Sequence, residues 1–168
     1  MKALATIGLT NHYLTDVLQN KLKVADFVGV FSADTVPENV LQGSRRSICI
    51  VNTSGRLQPG THFIVLLITR KRIELYDSLT LDLRLLFPQL MKHLTSSKKM
   101  VKFKFKRPLQ NPFSAFCGFY CIYFCLLLSP KQYPDRAGQK KFRRKKLQYN
   151  NKILMSNIKK LIAANIIN

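Results

Sequence analysis

The sequence predicts a single domain that mixes helices with strands, and three observations carry that expectation. First, the branched apolar run Thr61-His62-Phe63-Ile64-Val65-Leu66-Leu67-Ile68 is followed by a charged turn and then by the alternating Ile73-Glu74-Leu75-Tyr76-Asp77, the pattern of a hairpin. Second, apolar residues recur at helical spacing near the N-terminus, over 81–94 and after residue 115. Third, 46% hydrophobic and 21% charged residues describe a folded chain, and 168 residues bury a real core without staples.

Taken in order, residues 1–24 predict an amphipathic helix, with Leu14, Val17, Leu18 and Leu22 on one stripe and His12 facing solvent. Residues 26–37 read as an extended stretch and loop, and Gly43-Ser44-Arg45-Arg46 as a turn. Ser47-Ile48-Cys49-Ile50-Val51-Asn52 has the length and content of a strand, closed by Thr53-Ser54-Gly55. The run that begins at Thr61 predicts a central strand buried on both faces. The hairpin then sets His62, near the start of one strand, beside Asp77, near the end of the next. Taken singly, His62 reads as a strand-end histidine and Asp77 as a helix cap. Residues 81–94 predict two short helices parted at Pro88, with His93 half exposed in the second. Val101-Lys102-Phe103-Lys104-Phe105-Lys106 alternates strictly, so a strand with buried rings and an outward basic face is expected.

The stretch from Gln110 to Cys121 organises the rest. A turn at Asn111-Pro112 leads into an apolar helix that ends at Ser129-Pro130, with Ser114 the expected cap and Cys117 in the first turn. Free amides and the positive end of the helix dipole favour a thiolate there, and the thiolate is the reactive form. The same amides, with the Gln110 side chain just upstream, can donate to an oxyanion. Alone, the stretch also reads as a buried helix holding a small cysteine. With His62 and Asp77 it supplies the parts of a thiol hydrolase.

The net charge of +20 calls for a polyanionic partner, nucleic acid before an anionic membrane surface. No acidic residue follows Asp135, while Lys140, Lys141, Arg143, Arg144, Lys145, Lys146, Lys152, Lys159 and Lys160 crowd the C-terminal segment. Ile153, Leu154, Ile158, Leu161 and Ile162 form a stripe, so 138–168 predicts a basic amphipathic helix docked on the body, its cations outward. Residues Lys140 to Lys146 are the expected nucleic-acid contacts, a localisation signal being the competing reading. No recognition helix or zinc module appears, so DNA binding is expected to be independent of base sequence. The N-terminus shows no secretory signal pattern. The longest apolar piece, about 13 residues, is shorter than the ~20 that span a bilayer. Cys49, Cys117, Cys121 and Cys125 are expected to be free, without a disulfide framework or a metal.

Four segments carry a resemblance to a known family. Ile50-Val51-Asn52-Thr53-Ser54-Gly55-Arg56, Pro59-Gly60-Thr61-His62-Phe63, Tyr76-Asp77-Ser78-Leu79 and the block from Leu109 to Gly118 resemble the adenovirus endopeptidase (adenain) family and its relatives in Polinton/Maverick-type elements and other double-stranded DNA viruses. The order His, acid, Gln, Cys and the six residues between Gln110 and Cys117 match, and the likeness runs from about residue 25 to 130. Deconjugating proteases of the SUMO type share the catalytic order.

The resemblance implies an α+β fold, a central mixed sheet flanked by helices, with the cysteine at the N-terminus of a central buried helix. It implies Cys117 as nucleophile, His62 as its base, Asp77 orienting His62, and Gln110 with the Cys117 amide as oxyanion donors. The implied reaction is cleavage of viral precursor polypeptides at Gly-containing small-residue sites during particle maturation, through a thioester. No cofactor is required for the chemistry, and DNA or a peptide would act as activator. The expected setting is the virion and the host nucleus or viral factory, not secretion, for a monomer outside any membrane. Two departures stand out: Phe63 occupies a position usually held by tryptophan, and residues 93–110 lack a cysteine for a disulfide-linked peptide. Two other functions fit the same residues, a deconjugating protease for ubiquitin-like tails and an inactive basic DNA-binding virion protein.

Overall fold

A computed structural model describes residues 9–57, 60–129 and 147–166. Its centre is one five-stranded mixed sheet in the order β1-β2-β3-β4-β5. The strands are β1 (Phe27–Ser32), β2 (Ser47–Asn52), β3 (Phe63–Ile68), β4 (Arg72–Tyr76) and β5 (Met100–Phe103). The two outer pairs, β1 with β2 and β4 with β5, are parallel, and the two inner pairs are antiparallel.

Every residue of β2 and β3 is buried, as their continuous apolar content requires once helices cover both faces. Alternation divides each strand between two cores. Ile48, Ile50, Val65 and Leu67 face one, while Cys49, Val51, Ile64 and Leu66 face the other. The first core is closed by α1 (Asn11–Thr15) with the π-helical turn Asp16–Lys21, by α5 (Cys117–Leu128) and by α6 (Leu147–Ile166). The second is closed by α2 (Glu38–Gln42), α3 (Leu83–Leu86) and α4 (Pro88–Ser96).

Thr10 caps α1 by accepting from the Tyr13 amide, and the predicted stripe Leu14, Val17, Leu18 and Leu22 is buried. Pro88 begins α4, where its missing N–H costs nothing. The caps differ from expectation in two places. Asp82, not Asp77, caps α3, accepting from the Arg84 and Leu85 amides. Ser114 does not cap α5: its amide and hydroxyl both donate to the Asn111 carbonyl, closing a turn, so the helix starts three residues later at Cys117.

The strand at 100–103 also departs from its predicted alternation. As an edge strand it has β4 on one side only, and Phe103 is 40% exposed, with the Arg84 guanidinium 5.9 Å from its ring centre. Phe105 does turn inward, stacking near Tyr76 and Phe124. Lys104 lies over the Tyr76 ring and pairs with Glu74 at 3.1 Å, so it is not a freely outward cation.

Helix α5 is buried nearly all round, as its uniformly apolar sequence requires. Gly118 in its first turn lies where a Cβ would come within 2.9 Å of Leu9, so the glycine permits that close approach. Helix α6 packs on α5 through Leu154 and Ile158 and leaves Lys152, Lys159 and Lys160 exposed, as its stripe predicted. The basic cluster Lys140, Lys141, Arg143, Arg144, Lys145 and Lys146 lies outside the described residues. Among the described residues no helix is long and apolar enough to cross a membrane.

Candidate active site

The hairpin brings His62 and Asp77 together as its pairing demands. β3 and β4 pair Val65 with Tyr76, which sets the residue before β3 near the residue after β4. His62 Nε2 and Asp77 Oδ1 are 2.7 Å apart, and both residues are 4% exposed. The carboxylate is fixed further by its own loop: Oδ1 accepts from the Leu79 amide and Oδ2 from the Leu81 amide, each at 2.8 Å. Asp77 therefore receives three donors, and its orientation is set before any substrate arrives.

The backbone before β3 is held by amides and hydroxyls of the 52–54 segment. The Thr53 amide and hydroxyl both donate to the His62 carbonyl, at 2.9 and 3.2 Å. Ser54 and Thr61 hydroxyls meet at 3.0 Å, and the Ser54 amide donates to the Asn52 side chain. A Cβ on Gly60 would fall 2.3 Å from Asn52 Nδ2, so any side chain there would displace the Asn52 amide.

Cys117 is the first residue of α5, so its N–H has no intrahelical acceptor and the helix dipole acts on its sulfur. It is half-buried, whereas Cys49, Cys121 and Cys125 are fully buried. Burial alone would raise the Cys117 thiol; the His62 ring and the amides of Phe63 and Gly118 outweigh it and lower its pKa below the usual thiol value. For His62, burial disfavours the charged ring, but the hydrogen bond to Asp77 and the neighbouring Cys117 sulfur prevail and raise it to about 9. The two shifts have opposite sign, as expected of a thiolate–imidazolium pair. His62 Nδ1 is buried and completes no hydrogen bond in the resting geometry, although the sulfur is near enough to couple the two titrations. Contacts of this kind are commonly loose at rest and tighten once substrate binds. Burial moves the other three thiols the opposite way, Cys49 to about 12 and Cys121 and Cys125 well above the usual value.

Gln110 is 1% exposed, within the connection between β5 and Cys117. Its Oε1 accepts from the Ser78 hydroxyl at 2.7 Å, and its Nε2 donates to the Ser114 carbonyl at 2.5 Å. The Tyr120 hydroxyl, one turn into α5, donates to the Leu109 carbonyl at 2.7 Å and lies 3.2 Å from Asn151 Oδ1 of α6.

The structure thus joins His62 to Asp77 directly, couples His62 to Cys117 through their titrations, and holds Gln110 in the loop that precedes the helix. Thr53, Ser78 and Tyr120 were not singled out by sequence. Their contacts span up to 32 residues and leave no periodic trace, the one local signal being that Ser78 follows Asp77.

Compared with known proteins, the chain matches no curated sequence. A family model described as adenovirus endoprotease matches residues 27–165, from the first strand into the last helix. That span includes His62, Asp77, Gln110 and Cys117 and more than half of the chain, and on it the chain belongs to the adenovirus endoprotease family, whose members are viral cysteine peptidases.

Proposed function

We propose that the protein is a cysteine endopeptidase in which Cys117 is the nucleophile, His62 the general base and acid, Asp77 the residue that orients His62, and Gln110 an oxyanion donor. The observation that carries this reading is the buried His62–Asp77 contact of 2.7 Å, coupled to a half-buried thiol at a helix N-terminus.

The Cys117 thiolate adds to the scissile carbonyl carbon, and the displaced electron pair moves onto the oxygen. That oxygen is stabilised by the Cys117 N–H and by the Gln110 amide nitrogen, which uses one of its two hydrogens on Ser114. The His62 imidazolium gives its Nδ1 proton to the departing amine as the C–N bond breaks, leaving a thioester on Cys117. Neutral His62 then takes a proton from water, the hydroxide displaces the sulfur, and the carboxylic product leaves with the ion pair restored. Asp77 keeps Nε2 protonated throughout, so Nδ1 is the nitrogen that exchanges protons.

This mechanism predicts two different pH profiles. The His62 pKa is raised, so the imidazolium persists through neutral pH and is lost as pH climbs past about 9. The Cys117 pKa is lowered, so the thiolate forms below the usual thiol range. Cleavage of a fluorogenic diglycine-terminated peptide amide should be bell-shaped, because it needs both charged partners. Alkylation of Cys117 by iodoacetamide needs the thiolate alone, so it should lose rate only on the acid side. Identical profiles for the two reactions would count against the assigned roles.

The substrates that fit are viral precursor polypeptides, and the net charge of +20 supports DNA as the surface on which the enzyme meets them. Binding would be electrostatic, with exposed Lys152, Lys159 and Lys160 of α6 facing the phosphates. Replacing all three by glutamine should flatten the log-affinity against log-salt slope for duplex DNA, by about 0.9 for each phosphate that is no longer neutralised. An unchanged slope would remove this helix from the DNA-binding face.

A further inference from the structure

We infer that Ser78 is a positioning residue that sets the Gln110 amide for the oxyanion step, an inference that rests on the cysteine-peptidase reading above. Ser78 grips Gln110 and its neighbour three times. Its carbonyl accepts from the Leu109 amide at 2.8 Å and the Gln110 amide at 3.1 Å, and its hydroxyl donates to Gln110 Oε1 at 2.7 Å. Ser78 is 1% exposed, so water does not substitute for it.

The chemistry of the two ends of the amide gives these contacts a direction. The Ser114 carbonyl only accepts, so the end of the Gln110 side chain that faces it is nitrogen. The Ser78 hydroxyl donates to the opposite end and holds the oxygen away from Ser114. Together they hold the nitrogen on the side of the loop that leads to Cys117. Without the hydroxyl, Oε1 is buried without a donor, and the amide keeps only its Ser114 bond. The amide then either turns or swings toward a new partner, and the donor needed by the developing negative charge is misplaced.

The backbone adds a second consequence. Ser78 directly follows Asp77, whose carboxylate is fixed on the Leu79 and Leu81 amides. One short loop therefore carries both the group that orients the base and the group that orients the oxyanion donor, and sets their relative positions. Ser78 touches neither substrate nor sulfur; it acts through Gln110.

The test separates positioning from general support of the fold. Peptide cleavage passes through a tetrahedral oxyanion, but alkylation of a thiolate by iodoacetamide does not. Ser78→Ala should lower kcat on the fluorogenic diglycine peptide amide roughly 10- to 100-fold, less than the ~10²–10³ of deleting an oxyanion donor outright. KM, the alkylation rate of Cys117 and the pH profile of that alkylation should stay near wild type. Ser78→Thr, which keeps the hydroxyl, should recover most of the turnover. The double variant Ser78→Ala/Gln110→Ala should be no slower than Gln110→Ala alone, because both changes act on one amide. Parallel loss of cleavage and alkylation, or multiplicative losses in the double variant, would overturn the inference. Should Cys117→Ala cleave as well as wild type, the peptidase reading itself would fail, and that outcome is distinct from either of these.

Discussion

Cys117→Ala should all but abolish peptide cleavage while leaving the fold in place. The expected loss is on the order of 10⁶-fold, the scale seen when a hydrolase loses its nucleophile. The structural cost should be small. Cys117 is half-buried at the first position of α5, alanine is the best helix former, and the core beneath is supplied by Phe119, Tyr120, Ile122, Tyr123 and Phe124. Circular dichroism and the unfolding midpoint should therefore match wild type closely. Thiol mapping adds a second readout. Iodoacetamide under native conditions should label wild type at Cys117 and leave the variant unlabelled, because Cys49, Cys121 and Cys125 are buried with raised pKa values. Full cleavage by the variant, or labelling unchanged by the substitution, would point to a different nucleophile.

His62→Ala should abolish turnover almost as completely, by a different route. The variant loses the proton carrier, and it also loses the neighbour that contributes most to lowering the Cys117 pKa against burial. With the ring gone, the desolvated thiol should titrate above its lowered value, so alkylation at neutral pH should fall as well. The double effect separates His62 from Gln110, whose loss should slow cleavage alone. Asp77 would be left with only its loop amides, Leu79 and Leu81, so the 77–81 turn should survive the change. A His62→Ala enzyme that alkylates at the wild-type rate would contradict the ion pair.

Much of this arrangement was legible in sequence, and the reason is locality. The strand at Ser47–Asn52 was bounded correctly because its apolar run and its flanking turns lie within a few residues. The His62–Asp77 meeting followed from a hairpin, in which one continuous apolar run, one alternating run and the charged turn between them determine which residues face each other. The docking of α6 through Leu154 and Ile158 was written in a helical stripe. Other features were hidden because their causes are local accidents or distant partners. Helix α2 has five residues, too few to show a period. Ser114 looked like a cap, but the Asn111 carbonyl takes both its amide and its hydroxyl. Phe103 alternates as a core residue should, yet it sits on an edge strand with only one strand neighbour. The Ser78–Gln110 and Tyr120–Leu109 bonds join segments that no periodicity relates.

A buried aromatic core lies along the helix that begins at Cys117. Phe116, Phe119, Tyr120 and Phe124 form tilted ring pairs along or just before α5, fixing the helix axis and with it the position of its first residue. His62 and Gln110 are held by separately anchored segments, the first through Thr53 and the second through Ser78 and Ser114. In the proposed mechanism such rigid placement keeps the thiol and its partners in register until substrate tightens their contacts.

The ultraviolet absorbance of the thiolate, followed across pH in wild type, Cys117→Ala and His62→Ala, tests the pairing of sulfur and ring most directly. The other three thiols remain protonated through neutral pH, so the signal belongs to Cys117. Wild type should show a thiolate that forms below the ordinary thiol range, Cys117→Ala none in that range, and His62→Ala a thiolate that forms only at distinctly higher pH. A wild-type Cys117 that stays protonated until the ordinary thiol range, or one that titrates identically without His62, would contradict the account.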